Sequence, residues 1–247
     1  MKRLVVLLAC LLAPAAAHAE SPKNVNLEFK VATWYVPAVD SGTFAINPAT
    51  ASPYTPYDDV FGGGSFLLFQ ARADYLFYSG VFGTAAGGGG LGYGQKSGHG
   101  YLSDGVTRAT DSTTLHQLPL DFGVLYAYDW LAHNYSIPVV PYGRFDFVYD
   151  FWWFTNGVGD TSSYDAPDGT SSDGYGGTWG YRLAGGVRLL LDVFAPAMAR
   201  TFDVDFGVNN SYLLVEYVWS KVDDFGSSKS IRLGDEGYVN FGLAFEF

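Results

Sequence analysis

Cysteine is nearly absent. Cys10 is the single one in 247 residues, so no disulfide framework can hold the chain together. Basic residues are also scarce: 14 Lys+Arg against 25 Asp+Glu gives a net charge of −11, which excludes a nucleic-acid binder built on a basic surface. Charged residues reach only 16%, below the ~25% of ordinary soluble domains. Beyond the N-terminus no apolar run reaches the ~18 residues of a membrane helix, so any crossing of a bilayer has to use strands. Abundance points the same way. Nineteen Phe, 18 Tyr, 6 Trp and 31 Gly argue against disorder and against helices, and for β-structure with turns.

The N-terminal segment has the composition of a targeting sequence. Lys2 and Arg3 form a positive start, Leu4 to Leu12 an apolar core, and Ala17-His18-Ala19 a cleavage motif before Glu20. The chain therefore divides into a secretory signal peptide, 1–19, and a single domain, 20–247. Leu7-Leu8-Ala9 before Cys10 permits a lipoprotein reading, but the apolar core ahead of Cys10 is short for one. Processing after Ala19 removes Lys2, Arg3 and Cys10, leaving 12 bases against 25 acids, a net −13.

Eight segments alternate with a period of two, the signature of strands with one apolar face. The first sets Leu27, Phe29, Val31, Thr33 and Tyr35 against Glu28, Lys30, Ala32 and Trp34. The second, from about Ser65 to Phe77, opposes Leu67, Phe69 and Tyr75 to Gln70, Arg72 and Asp74. A third, about Phe82 to Gly94, is almost all Gly and Ala around Leu91 and Tyr93. The fourth sets Leu118, Leu120, Phe122, Val124, Tyr126 and Tyr128 against Gln117, Asp121 and Asp129. The fifth places Phe145, Phe147, Tyr149, Phe151 and Trp153 opposite Arg144, Asp146 and Asp150. In the sixth, Trp179, Tyr181, Leu183, Val187, Leu189, Leu191 and Val193 oppose Arg182, Arg188 and Asp192. The seventh, Ser211 to Val222, opposes Leu213, Val215, Tyr217 and Trp219 to Glu216 and Ser220. The eighth ends the sequence, Val239, Phe241, Leu243, Phe245 and Phe247 against Asn240, Ala244 and Glu246.

Connections alternate between long and short, as the loops and turns of a transmembrane barrel do. The stretch 194–210 breaks the pattern. Pro196-Ala197-Met198-Ala199-Arg200 suits a helical turn, whereas Phe202-Asp203-Val204-Asp205-Phe206 alternates like a strand and would raise the count toward ten. Alternation alone also suits a soluble secreted barrel or sandwich with polarity reversed. Aromatics at the ends of the apolar faces (Phe77, Tyr128, Phe151, Trp153, Trp179, Trp219) and loops too long for a compact soluble domain favour the membrane.

The last strand adds a specific signal. Asn240, Gly242, Phe245 and Phe247 lie in a segment that resembles the terminal assembly signal of bacterial outer-membrane proteins, read by the barrel-assembly machinery. A narrower likeness rests on short motifs: Tyr35-Val36-Pro37 with Asp40, Pro53-Tyr54 with Tyr57-Asp58-Asp59-Val60-Phe61-Gly62, the run Gly186 to Asp192, Gly207-Val208-Asn209 with Tyr212, Glu216-Tyr217 and Leu233-Gly234-Asp235. Together they resemble the outer-membrane β-barrel family named from myxobacterial genomes. The resemblance implies an outer-membrane barrel of a Gram-negative cell and no established reaction. Asn210 departs from that pattern, where His is expected, which weakens any catalytic carry-over.

Chemistry-bearing motifs are few. His99 and His116, with Asp104, Asp111 and Ser112 nearby, are the candidates for a rim hydrolase, but no G-x-S-x-G or H-E-x-x-H occurs. Asp160, Asp165, Asp168 and Asp173 lie in a Gly/Ser-rich loop whose spacing fails the calcium-loop pattern. The glycine run 87–90 lacks the lysine of a phosphate cradle and suits a tightly curved wall. The reading is an all-β, antiparallel, up-and-down barrel of eight strands, without enzymatic activity, cofactor or metal. Glu28, Lys30, Arg72, Asp74, Asp121, Arg144, Asp146, Asp150, Arg182, Arg188, Asp192, Glu216 and Glu246 would pair inside to plug the lumen. Its partners would be outer-membrane lipid and lipopolysaccharide, with the assembly machinery during biogenesis and an unassigned surface ligand. A narrow porin-like channel is the main rival; a rim hydrolase and a soluble binding protein follow.

Phe247 should be needed for assembly. Its deletion should leave processed chain in the periplasm, where it is degraded or aggregates; undiminished heat-modifiable protein in the outer membrane would contradict the assembly-signal reading.

Overall fold

A computed structural model describes residues 24–35, 56–100, 107–135, 137–165, 171–227, 230–234 and 237–247. The proposed signal peptide lies outside them, as do Asp104 and Asp168. The strands are β1 (Val25–Tyr35), β2 (Phe66–Gly80), β3 (Gly83–Gly98), β4 (Thr113–Ala127), β5 (Val139–Thr155), β6 (Ser163–Asp165), β7 (Ser171–Asp173), β8 (Tyr175–Leu190), β9 (Asn210–Val222) and β10 (Tyr238–Glu246). Short helices α1 (Pro56–Phe61) and α2 (Trp130–Tyr135), and the longer α3 (Pro196–Phe206), interrupt them.

Eight strands close into an antiparallel barrel in the order β1-β10-β9-β8-β5-β4-β3-β2, and β6 and β7 form a separate hairpin. Closure is made by β1, which pairs with β2 on one side and β10 on the other, so that Leu27 lies between Ala73 and Phe245. β1 begins and β10 ends at the same rim, where the Asn24 amide donates to the Phe247 carbonyl at 2.7 Å. That end also holds the connections 81–82, 128–138 and 191–209 and is called here the turn end. Residues 36–65, 99–112, 156–174 and 223–237 connect strands at the opposite, loop end.

The polarity of the wall is inverted relative to a soluble protein. Phe69 is 58% exposed and Phe122 54%, while Glu28 is fully buried and Asp74 1% exposed. Phe29, Leu67, Leu91, Leu120, Phe147, Leu213 and Leu243 are exposed as well and complete an apolar belt around the outside. Exposed apolar surface on this scale marks an interaction surface and not a solvated one.

The interior is layered, which strand alternation did not reveal. At the turn end Ala86, Leu125, Ala127, Val140, Tyr142, Tyr212, Leu214 and Ala244 pack into an apolar floor. Toward the loop end lie two further clusters, Ala32, Tyr35, Phe66, Leu68, Val218 and Tyr238, and Tyr57, Phe61, Leu115, Val148, Val222 and Leu233. Charged residues fill the middle.

Four details correct the sequence reading. Tyr35 turns inward, because the β1–β2 register shifts between Ala32 and Tyr35 and reverses the parity of the strand end. β4 stops at Ala127, so Tyr128 and Asp129 belong to a turn in which Thr84 donates to Asp129 at 2.7 Å. β8 stops at Leu190, so Asp192 is not a lumen residue; its carboxylate accepts the Ser211 amide at 3.3 Å in the turn that follows. Phe202 to Phe206 is helical. Pro196 starts α3, and Gly207, at φ 71°, stops it by donating to the Asp203 carbonyl at 2.9 Å. The ten-strand alternative therefore falls.

Belt positions should reject charge. Leu120→Arg and Phe147→Arg should each cost ~2–4 kcal/mol in unfolding from lipid vesicles, as at a bilayer midplane. Val158→Arg, at an 83% exposed loop position, should cost within ~0.5 kcal/mol. Equal costs would mean the belt does not face lipid.

Candidate functional site

Alternation along each strand sends one side chain in two into a lumen that, in an eight-stranded barrel, is about wide enough for side chains alone. Glu28 on β1 sits at the middle of it. Arg144 Nη2 donates to both Glu28 oxygens at 2.7 Å, Arg188 Nη2 donates to Oε1, and Lys30 Nζ lies 3.3 Å from Oε2. Lys30 also donates to Glu216 at 2.7 Å, and Arg188 approaches Glu246 at 3.8 Å. Arg144 reaches Asp74 at 3.6 Å, which joins this group to a second one. There Arg72 bonds Asp74 through Nε at 2.7 Å, lies 2.8 Å from Asp146 and contacts Asp121, whose other oxygen accepts from Arg182 at 3.2 Å. The ion pairs thus form one connected network. Every barrel strand contributes, since β3 supplies the Gly88 carbonyl to Arg72 at 3.3 Å and β10 supplies Asn240 to Glu216 at 2.8 Å.

Without Asp192, the five inward bases face seven acids of the sequence-assigned set. Neutral donors take up the difference. Tyr142 donates to Glu216 at 2.8 Å, and Tyr212 and Asn210 donate to Glu246 at 3.0 and 2.8 Å. Asp150 accepts from Gln117 at 3.1 Å, and Gln117 also donates to Tyr35 at 3.3 Å. The Arg188 guanidinium lies 4.9 Å from the centre of the Tyr142 ring, which couples the charged layer to the apolar floor.

Room for these side chains comes from glycine in the neighbouring strand. Gly90 pairs with Arg72 on one side and Asp121 on the other, Gly88 with Asp74, Gly123 with Asp146, Gly186 with Glu216 and Gly242 with Lys30. A Cβ at Gly123 would lie 2.0 Å from the Phe145 carbonyl and 2.5 Å from the Asp146 carboxylate; one at Gly242 would meet Lys30 Cγ at 2.9 Å. Two residues of the proposed assembly signal, Asn240 and Gly242, therefore have packing roles inside the barrel. Phe245 is half-buried on the wall, and the Phe247 amide donates to the Val25 carbonyl at 2.8 Å.

The loop end is covered. Tyr57 and Phe61 of α1 are buried against the inward residues Leu115, Val148 and Val222, and Phe61 stacks on Phe154 at 6.3 Å. Gly98 lets α1 sit this close, because a Cβ there would fall 2.1 Å from the Val60 carbonyl. Arg108 ties the arrangement together by donating to the Asp59 carbonyl and to the His99 carbonyl, the latter at 2.7 Å. Beside α1 an open cleft of about 580 Å³ is lined by Phe61, His99 and Arg108, among others.

Among the described residues neither candidate histidine bonds a serine or an acid side chain. The His99 ring faces the Asp111 carbonyl at 3.3 Å. His116 is on the outer wall, stacked 4.9 Å from Trp153, with the Tyr93 hydroxyl at 2.9 Å and Thr155 Oγ1 at 3.0 Å. It belongs to an aromatic group near the loop end. Asp160 and Asp173 sit in the 156–174 connection, and among the described residues no acid or histidine group is arranged to hold a metal.

Asn26, Tyr142, Tyr212, Gln117 and Asn240 complete the network beyond the charges that the sequence marked. Each shares the parity of a charged neighbour (Asn26 with Glu28, Tyr142 with Arg144, Tyr212 with Glu216), a signal that was present. Tyr35 had none, because its inward turn depends on the register shift.

No protein-family model and no curated protein matches the chain, so the family likeness of its short motifs is left without a match. Among solved structures, the chain is similar to Ail, the attachment invasion locus protein of Yersinia pestis, which was solved in complex with the heparin analogue sucrose octasulfate. The identity is 10% and the TM-score 0.43, covering 92% of this chain and 100% of Ail. It is also similar to Neisserial surface protein A, at 12% identity and a TM-score of 0.44, covering 90% of this chain and 97% of that one.

The glycine pairing makes a paired forecast. Gly123→Val should destabilise the barrel by at least ~1–3 kcal/mol through overpacking. Gly185→Val, at a position where a Cβ meets nothing within 4 Å, should be tolerated. Similar unfolding midpoints for both variants would refute the space argument.

Proposed function

We propose that residues 20–247 form an outer-membrane barrel, delivered by a signal peptide over 1–19, whose lumen is closed and whose work is done by its outer loops. The observation that carries this reading is the connected lumen network, with ion pairs from seven barrel strands and a backbone carbonyl from β3, lying between an apolar floor and an α1-covered mouth. A water path would have to cross two apolar layers as well as the charges. A lumen wide enough to conduct would need extra strands from Phe202 to Phe206, and that segment is helix.

The belt supports a lipid environment, with outer-membrane lipid and lipopolysaccharide as the surrounding partners. The aromatic group Tyr93, His116, Trp153 and Phe151 would sit at the outer interface, where such rings are enriched. The terminal residues Asn240, Gly242, Phe245 and Phe247 would be read by the assembly machinery. A structural or surface-interaction role then falls to the loop end, where α1, Arg108 and the adjacent cleft are presented outward. No enzymatic step is assigned.

Planar-bilayer recording tests the reading. The unmutated protein should give no stable openings, and Arg144→Ala should produce measurable conductance while lowering stability by ~3–5 kcal/mol, since removing one partner leaves a buried charge unpaired. Large, stable openings from the unmutated protein would overturn the closed lumen. Failure to shift on a gel with heating would favour a soluble barrel instead.

A further inference from the structure

At the turn end, all three connections between strands present aromatic or large apolar side chains. The β2–β3 hairpin exposes Tyr78, Val81 and Phe82, and the β4–β5 connection exposes Tyr135 and Ile137 beside Trp130. The β8–β9 connection does the same with a helix. In α3 no residue is buried, yet Met198, Phe202 and Phe206 recur every fourth position, with Phe194 one step earlier. All four are exposed, Phe194 at 65%, and the Phe202 and Phe206 rings touch at 5.7 Å. Spacing of four residues puts Met198, Phe202 and Phe206 along one side of the helix with Asp205 at its edge, whereas Arg200 and the exposed Val204 lie on the opposite side. The Pro196 start and the Gly207 stop bound this segment, and burial in the barrel does not shape it.

We propose that α3 is an in-plane anchor that embeds its Met198–Phe202–Phe206 stripe in the phospholipid leaflet at the turn end. This rests on the membrane reading above and goes beyond it by giving the β8–β9 connection a binding function. Two facts select lipid as the occupant. The stripe lies at the same end of the barrel as the exposed aromatics of the other two turns, so it continues the belt's rim. Its charges are also wrong for electrostatic recruitment: Arg200, Asp203 and Asp205 sum to −1 on a chain that is already acidic. Attachment is therefore by apolar insertion, as for interfacial helices whose apolar face sinks to the headgroup and acyl boundary, and it is insensitive to salt.

The test uses single cysteines carrying an environment-sensitive fluorophore, in the full chain with Cys10→Ser, reconstituted into phosphatidylcholine vesicles. Labels at Met198→Cys and Phe202→Cys should be quenched by lipid bearing a shallow nitroxide and be severalfold less accessible to aqueous iodide than a label at Arg200→Cys. High salt should leave the pattern unchanged. A label at Leu120→Cys, in the middle of the belt, reports separately on the barrel by its response to a deep nitroxide. If Leu120 responds to lipid while Met198 and Phe202 are as open to iodide as Arg200, the anchor is refuted and the barrel reading stands. Protection of the stripe from both quenchers would also refute it, in favour of a second protein chain on the helix. Absence of lipid quenching at Leu120 would remove the membrane reading and the anchor with it.

Discussion

One carboxylate, Glu28, organises the interior. It is fully buried and takes a cation from its own strand, Lys30, and one each from β5 and β8, Arg144 and Arg188. Those strands lie far from β1 in the sheet order, so these contacts cross the lumen and can form only when the barrel is closed. Backbone pairing between neighbours makes a sheet; the Glu28 contacts select the closed form. The cost of dehydrating so many charges is offset only if nearly all are paired, and removing any one member leaves its partner exposed to that cost.

The rest of the structure follows from giving this network space and keeping water from it. Bulky charged side chains fit a narrow barrel because register places glycine next to them, as Gly90 stands between Arg72 and Asp121. The glycines of β3 are therefore a volume requirement of β2 and β4. Apolar floor and covered mouth hold the network in a low-dielectric setting, where each ion pair is stronger and each mispairing costlier. The external belt is the complement: with most of its polar groups turned inward, the barrel presents a largely apolar surface to its surroundings.

Much of this was legible. Period-two alternation separated Leu120 and Phe147 from Asp121 and Asp146, and it identified the charges that meet inside. Strand ends were less legible, because the alternation of Leu191 and Val193 continues past the last ladder hydrogen bonds and carried Asp192 with it. Helix α3 was ambiguous for a related reason: Phe202, Val204 and Phe206 satisfy a strand period, while Met198, Phe202 and Phe206 satisfy a helical one. Tertiary register decided Tyr35, and no local pattern could. The burial of Tyr57 and Phe61 over the mouth was likewise invisible, since it depends on where the 36–65 connection returns to the barrel.

The cross-lumen coupling of Glu28 and Arg144 is the most direct test. In a double-mutant cycle of Glu28→Gln and Arg144→Met, followed by reversible unfolding from lipid vesicles, the account predicts a coupling of ~0.5–3 kcal/mol, toward the upper part of the range for contacting residues. The double variant should then be less impaired than the sum of the singles. Additivity within ~0.3–0.5 kcal/mol, the behaviour of independent sites, would mean that the two groups do not hold the barrel closed against each other.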